Sequence, residues 1–400
     1  MILFSCLKKD FDLYVTKGVI SNLVYDAYKE KLGKKTKLSQ IKAWANSLPF
    51  MKFILEDLPE DVGIAIEFNI PLTSKRIDFV VTGFNQNHEP VIFLFELKQW
   101  EKVSDVKCED AIIKTVIENK EKKSLHPSYQ AFCYAELLLN YNRFIEKNRI
   151  QVFPVVYLHN YSFQENDPMF LNKFKQYYRQ APIYGKEDKF RLKEFVSQTI
   201  FYGDQREIIK QIDQSEVKPN KKLLDALDKM IQSKKEYTLL DEQKIIEEEI
   251  KNHIKQAFIK NQKTVIIVKG GPGTGKSVLA IHLLGVLLKI GLMGAYVSKN
   301  MAPRKVYKNS LVCNNEISIH ELFKSSGYFF RDHENQYDFL LVDEAHRLQE
   351  KSGIHYNIGE NQIKEIIHAS LASVFFVDEN QMVTLKDIGS IANIKYFAKI

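Results

Sequence analysis

Two sets of residues have types and spacing suited to chemistry. The first is Gly270-Gly271-Pro272-Gly273-Thr274-Gly275-Lys276-Ser277, in the pattern G-x-x-x-x-G-K-S. Glycines there let backbone N–H groups turn inward around an anion, and a helix opening directly after the loop adds the positive end of its dipole. Lys276 can reach β- and γ-phosphates, and the Ser277 hydroxyl can ligate Mg²⁺. Further along, Asp343 and Glu344 end the apolar run Phe339-Leu340-Leu341-Val342. At the C-terminal edge of a parallel sheet, where ligands bind, Asp343 would hold Mg²⁺ and Glu344 would activate a water.

The second set is Asp78, Glu96 and Lys98, with Glu67 upstream. Asp78 is a charge inside the apolar run Arg76-Ile77-Asp78-Phe79-Val80-Val81. Glu96 and Lys98 are two apart, so a strand puts both on one face and Leu97 on the other. Two carboxylates and a lysine on adjacent strands suit metal-dependent phosphodiester hydrolysis. Asp78 and Glu96 supply hard oxygen ligands for Mg²⁺, and the lysine offsets developing charge or helps position the water.

The elements that must position these residues are legible as apolar runs. Ala65–Ile70, Ile77–Thr82 and Val91–Leu97 predict three strands, with Asn85-Gln86-Asn87-His88 turning between the second and third. His126-Pro127 predicts the start of a helix on which Gln130 and Tyr134, four apart, share a face. His126 itself reads first as a packing or capping residue. Val152–Leu158 predicts a further strand. Apolar spacing over 11–58 predicts helices, with Ser39 as an N-cap and Trp44 in the core. Val217-Lys218-Pro219 marks a boundary before a helix at Leu223–Ile231, and Asp241 caps a helix running to about Lys260. Around the glycine-rich loop, Val265–Lys269 predicts a buried parallel strand and Val278–Leu284 a helix that Gly291 ends. Ala295–Ser298 and Val374–Val377 predict two more strands.

With those elements in place, resemblances become specific. Asp78 followed by Glu96-Leu97-Lys98 resembles the D…E-x-K signature of PD-(D/E)XK nucleases, and Glu67 resembles their upstream acidic residue. Gln130 and Tyr134 resemble the Q-x-x-x-Y element of the RecB-like branch. Gly270–Ser277, Asp343–His346 and Asp378–Gln381 resemble the corresponding motifs of superfamily 1 helicases. The resemblance implies that Gln381 senses a γ-phosphate, Gln243 reads an adenine and Ser298-Lys299-Asn300 contacts nucleic acid. The whole pattern is similar to proteins with a Schlafen-group-3-like DNA/RNA helicase domain.

The expected architecture is α/β: a helical segment over 1–60, a PD-(D/E)XK nuclease-like core over 61–160, a helical connection over 161–235, and a first RecA-like P-loop lobe with a parallel sheet over 236–400. The resemblance implies ATP and Mg²⁺ as cofactors, nucleic acid as partner with DNA ahead of RNA, and a role in defence against foreign DNA. Such helicases hydrolyse nucleotide between two lobes. This chain reaches Ile400 soon after Gln381, and Arg304 and Arg347 lie in the lobe that carries the loop. Slow turnover without a second lobe or a partner is therefore expected. Two other readings stay open: an NTP-binding switch whose N-terminal domain binds nucleic acid or protein without cutting, and an inactive truncated product.

Composition sets the outer bounds. Four hundred residues provide for two or three domains, and hydrophobic residues at 45% with charged residues at 27% fit a soluble globular chain. A net charge of +7 is compatible with a polyanionic partner without requiring one. Cys6, Cys108, Cys133 and Cys313 show no metal-ligand spacing and fit a reduced cytoplasmic chain. The apolar stretch Val278–Val297 is interrupted by His282 and Lys289, so a core helix and strand are expected there and no membrane span.

Overall fold

The computed structural model describes residues 2–33, 36, 38–69, 76–106, 111–117, 120–218, 220–221, 224–225, 239, 241–300, 322–352, 358–381 and 386–399. The expected helix at Leu223–Ile231, Arg304, Cys108 and Cys313 lie wholly or largely outside these residues. The chain divides into two compact units, with the break in sequence between Glu216 and Val217.

The first unit is built on β1 (Ile2–Leu7), β2 (Gly63–Asn69), β3 (Arg76–Phe84), β4 (Pro90–Lys98), β8 (Gln151–Leu158) and β9 (Ile183–Tyr184), in spatial order β1-β2-β3-β4-β8-β9. Neighbours from β1 to β4 run antiparallel, while β8 and β9 join in parallel. Residues 1–60 are thus not helical throughout, since the opening apolar run pairs as the edge strand. Likewise β9 extends the sheet into what reads in sequence as a helical connection. A separate meander, β5 (Val103–Asp105), β6 (Ile112–Ile117) and β7 (Lys120–Leu125), lies between β4 and the helix Pro127–Tyr141 in sequence.

The near-continuous apolar runs of β2 to β4 follow from helices on both faces. Ile64, Ile66, Phe79, Val81, Phe93 and Phe95 pack with Phe11, Val24, Trp44, Leu48 and Met51 of the N-terminal helices. The intervening Ala65, Val80, Ile92 and Leu94 meet Leu138, Ile209 and Ile212 on the other side. The helix Leu38–Ile54 begins before Ser39, which sits in its first turn. The β3–β4 turn is the expected one: Asn85 Oδ1 accepts the N–H groups of Asn87 and Glu89, both at 2.9 Å.

The second unit carries β10 (Thr264–Lys269), β11 (Gly294–Ser298), β12 (Phe323–Lys324), β13 (Tyr337–Asp343) and β14 (Ser370–Val377), all parallel, in spatial order β10-β14-β13-β11-β12. The helix Lys276–Lys289 buries Leu279, Leu283, Leu284 and Leu287, as its apolar sequence requires. Helices Gln362–Ala369 and Ile391–Phe397 close a core with Leu340, Val342, Phe375 and Val377. Asp343 is the last residue of its strand, and the glycine-rich loop, Glu344 and Asp378 follow the C-terminal ends of theirs. Among the described residues no helix is long and apolar enough to cross a membrane.

Candidate functional site

In the first unit, strand alternation puts Asp78 beside Val80, and Glu96 and Lys98 beside Leu94. That is the face covered by the helix Pro127–Tyr141. Asp78 Oδ2 accepts the Leu97 N–H at 2.8 Å, just past the last regular β3–β4 pair, Phe79–Phe95. Lys98 Nζ donates to Glu96 Oε1 at 2.5 Å. Burial raises the Asp78 carboxyl well above the usual carboxylate range, with Glu96 adding to the shift and Lys98 opposing it. Burial by itself would lower Lys98, but Glu96 and Asp78 outweigh it and hold the ammonium above its ordinary value. Tyr134 is raised by burial and then by the charges of Glu96 and Asp78, so its phenol stays neutral beside them. Gln130 Nε2 lies 3.5 Å from the Tyr134 hydroxyl. Asp78, Glu96, Lys98, Gln130 and Tyr134 thus lie near one another on this face.

Among the described residues Glu96 Oε2 and Gln130 Oε1 are buried acceptors with no hydrogen-bond partner. An unsatisfied buried carboxylate oxygen is destabilising, and a hard cation is the chemical species that suits it. Among the described residues no group of three or more His, Cys, Asp or Glu is arranged to hold a metal. Two carboxylates are nonetheless the donor set Mg²⁺ takes when waters and substrate phosphates complete its shell. The residues present fit Mg²⁺ better than a metal needing a full protein cage.

Glu67 is held differently. Its φ is 56°, in the left-handed region, inside β2. The alternation inverts across it, because Phe68 lies with Ala65 and Val80 on one side of the sheet. The side chain is turned to the N-terminal helices instead. Gln40 Nε2 and Trp44 Nε1 donate to Oε1 at 2.9 and 2.7 Å, and Arg76 donates to Oε2 at 3.1 Å. Both oxygens are thus engaged by protein donors, although the charge still acts on Asp78. His126 is a packing residue: it is buried, stacked on Phe174, bonded to the Met169 carbonyl at 3.1 Å, and lowered by burial to about 4.

In the second unit the glycine-rich loop leads into the helix with Gly273 and Gly275 at φ 73° and 79°, where a side chain would be strained. A Cβ on Gly275 would lie 2.2 Å from Gln243 Nε2, and one on Gly270 would lie 2.7 Å from Thr274 Oγ1. At Gly273 and Gly275 the loop's backbone conformation therefore favours glycine. Gln243 donates to the Thr274 carbonyl at 2.9 Å, so the helix Asp241–Lys260 supplies it to the loop. Lys276 Nζ donates to the carbonyls of Gly270 and Gly271 at 2.7 and 2.6 Å and stands 3.7 Å from Asp378 Oδ2. Ser277 follows in the first turn. Pro272 is exposed at the loop's tip.

Asp343 uses both oxygens: Oδ1 accepts the Glu344 N–H at 2.9 Å and Oδ2 accepts the Tyr296 hydroxyl at 2.6 Å. Glu344 lies in the left-handed region, φ 50° and ψ 44°. Burial lowers His346 against the pull of Glu344 and Asp378, so its neutral Nδ1 can accept the Asp378 N–H at 3.3 Å. Gln381 ends the short 3-10 turn after β14 and is exposed. Loop, acids and Asp378 form one constellation along a sheet edge, chemically fitted to a nucleoside triphosphate with Mg²⁺.

Residues 263–400 match the family model for the Schlafen group 3, DNA/RNA helicase domain. The match supports a Schlafen-like helicase domain there and points to a nucleotide-binding, nucleic-acid-related NTPase function. Comparison with curated proteins and with solved structures gives no match.

Within this helicase-type domain Tyr296 and Asp387 escape sequence reading, and Asn300 takes a partner that the sequence does not announce. Tyr296 looks like a core residue of β11, yet its hydroxyl fixes Asp343. Asn300 donates to Glu344 Oε2 at 2.6 Å. Asp387 pairs with Lys299 Nζ and Arg347 Nε, each at 3.4 Å. The signal that could find them is register: Ser298 pairs with Asp343, so residues just past 298 fall beside Glu344.

Proposed function

We propose that the chain is a nuclease–helicase fusion. Its C-terminal unit is a RecA-like lobe binding ATP–Mg²⁺, and its N-terminal unit is a PD-(D/E)XK-type phosphodiesterase acting on nucleic acid, with DNA ahead of RNA. The observation that carries the reading is the convergence of Gly270–Ser277, Asp343 and Glu344 at one sheet edge within a region that matches a helicase-domain family. Backbone amides of the loop and Lys276 bind the phosphates. Ser277 and Asp343 would hold Mg²⁺, which supplies charge neutralisation at the transferring phosphoryl group. Glu344 takes a proton from the attacking water. Gln243 faces the base and Gln381 the γ-phosphate.

In the N-terminal unit Asp78 and Glu96 would hold Mg²⁺, which supplies activation of water and polarisation of the phosphate. Lys98 offsets charge on the scissile phosphate, while Gln130 and Tyr134 orient it. Glu67, clamped by Trp44, Gln40 and Arg76, acts at a distance through its charge. One observation favours a second reading, in which this unit binds nucleic acid without cutting: Lys98 is already bonded to Glu96. Cytoplasmic location, defence against foreign DNA and an arginine supplied by a second lobe or partner belong to the same proposal.

Calorimetric titration of ATP–Mg²⁺ into the chain and into Lys276→Ala tests the motor lobe. Binding by the first and none by the second is expected, and equal affinity removes the assignment. Incubating supercoiled plasmid with the chain, in Mg²⁺ and in EDTA, tests the other unit. Nicking only in Mg²⁺ supports the nuclease. Plasmid retention without nicking selects the second reading.

A further inference from the structure

The segment after β11 reaches the residues that carry ATP hydrolysis. Ser298 Oγ accepts the Asn300 N–H at 3.2 Å, which tightens the turn leaving the strand. Because Ser298 pairs with Asp343, this turn runs alongside Glu344. There Asn300 Nδ2 donates to Glu344 Oε2 at 2.6 Å. Glu344 holds a left-handed backbone, a state a glutamate adopts only when its surroundings fix it. The neighbouring Lys299 lies 3.4 Å from Asp387 Oδ1, and Asp387 also takes Arg347 from the turn that follows Glu344. Two consecutive side chains thus anchor the turn, Asn300 on Glu344 itself and Lys299 on Asp387, which also pairs with Arg347 three residues past Glu344.

Resting on the reading of Glu344 as the group that takes the water proton, we propose that Asn300 is a positioning residue that restrains Glu344, and that a nucleic-acid phosphate engaging the turn Ser298–Asn300 releases it. In hydrolysis a water oxygen forms a bond to the γ-phosphorus. The bond to the β,γ-bridging oxygen breaks with its electron pair leaving on ADP, and the water proton passes to Glu344. A carboxylate oxygen accepting a short amide hydrogen bond is aimed at its donor rather than at the water. Lys299 and the Asn300 amide are cationic and donor groups respectively. Both suit a phosphodiester oxygen, which would compete with Asp387 for the first and with Glu344 for the second.

The test uses the full chain in single-turnover hydrolysis of γ-labelled ATP with protein in excess, with and without single-stranded DNA or RNA. Asn300→Ala should raise the strand-free rate about tenfold, the equivalent of one hydrogen bond to a charged group. It should also abolish any further acceleration by the strand. Asn300→Asp, which keeps the size but offers no donor, should behave like Asn300→Ala. Asn300→Gln, which keeps the donor, should restore restraint in part. ATP–Mg²⁺ affinity should stay within about twofold in all three, which separates a lost restraint from a damaged fold. A rate for Asn300→Ala at or below that of the unsubstituted chain overturns the proposal, as does undiminished stimulation by the strand. Failure of the unsubstituted chain to bind ATP–Mg²⁺ would instead overturn the function on which the proposal rests.

Discussion

The two candidate sites differ in how their polar groups are satisfied. In the helicase-type lobe the reactive side chains have protein partners: Lys276 on two loop carbonyls, Asp343 on Tyr296 and the Glu344 amide, Glu344 on Asn300. In the N-terminal unit Glu96 Oε2 and Gln130 Oε1 are buried without one among the described residues, and Asp78 is pushed toward its neutral form. The first site sits on loops past the strand ends, where side chains and backbone can turn to meet one another. The second is set into the sheet, where β3 and β4 fix each side chain's direction. Its charges cannot turn away, so Asp78 stays beside Glu96 and Lys98 with its carboxyl raised. A site on loops stores specificity in partners that ligands displace. A site in a sheet stores it in unmet need.

The largest effect should come from removing one side of that contrast without the other. Glu96→Ala should lower Mg²⁺-dependent nicking at least about a hundredfold, because loss of one hard ligand disables a hydrolytic metal site. Lys276→Ala should leave basal nicking within about twofold while abolishing ATP binding. Plasmid assays and calorimetry on both variants give the two-by-two outcome. Loss of nicking in Lys276→Ala would break the comparison by making cutting depend on nucleotide.

The legibility of the two sites differs for the same physical reason. The loop Gly270–Ser277 is contiguous, and its amides act through backbone geometry that glycine spacing announces. Asp78, Glu96 and Lys98 are dispersed, but strand alternation was enough to put them on one face. What alternation could not foresee is Glu67, where a left-handed residue inverts the faces of β2 and turns the carboxylate to Trp44. Nor could it foresee Tyr296, since a tyrosine in a buried strand has the same pattern whether its hydroxyl is idle or bonded. The strand Ile2–Leu7 is not legible in the sequence, because so short an apolar run has no periodicity to separate strand from helix. The break between Glu216 and Val217 falls at the turn signal Val217-Lys218-Pro219, where proline and lysines interrupt the apolar pattern.

A middling effect should come from Tyr296→Phe, which removes one partner from the satisfied site. The buried hydroxyl donates to Asp343 at 2.6 Å, and a hydrogen bond to a charged group contributes about 1.5–3 kcal/mol. Asp343 then loses its fixed orientation, and the Mg²⁺ concentration at half-maximal ATP binding should rise about tenfold. Binding of ATP in EDTA should change little. Titrating Mg²⁺ at fixed fluorescent ATP analogue measures this. An unchanged midpoint would mean that Tyr296 contributes only packing, and the contrast between satisfied and unsatisfied sites would lose its clearest element.

The smallest effect, and the sharpest for the comparison, is on stability. The folded-state value of Asp78 is raised above the ordinary carboxylate value, first by burial and then by Glu96. Stabilisation from such a group is fully present below its unfolded value, about 3.9, and is lost as pH rises through the folded value. Near neutral pH the ionised carboxylate therefore weakens the fold relative to a neutral group of the same shape. Asp78→Asn supplies that group. Its amide oxygen can still accept the Leu97 N–H, and its NH₂ can donate to Glu96. The variant should lose nicking yet unfold at a higher temperature, by about 2–4 °C for each kcal/mol of relief. The gap should be small near pH 4 and widen as pH rises. Adding Mg²⁺ should narrow it, because a cation that binds the native carboxylates stabilises the unsubstituted chain alone. Thermal unfolding from pH 4.5 to 8, with and without Mg²⁺, measures all three trends. If Asp78→Asn is less stable than the unsubstituted chain at pH 8, the carboxylate is a structural partner like Asp343, and the two sites are built on the same plan after all.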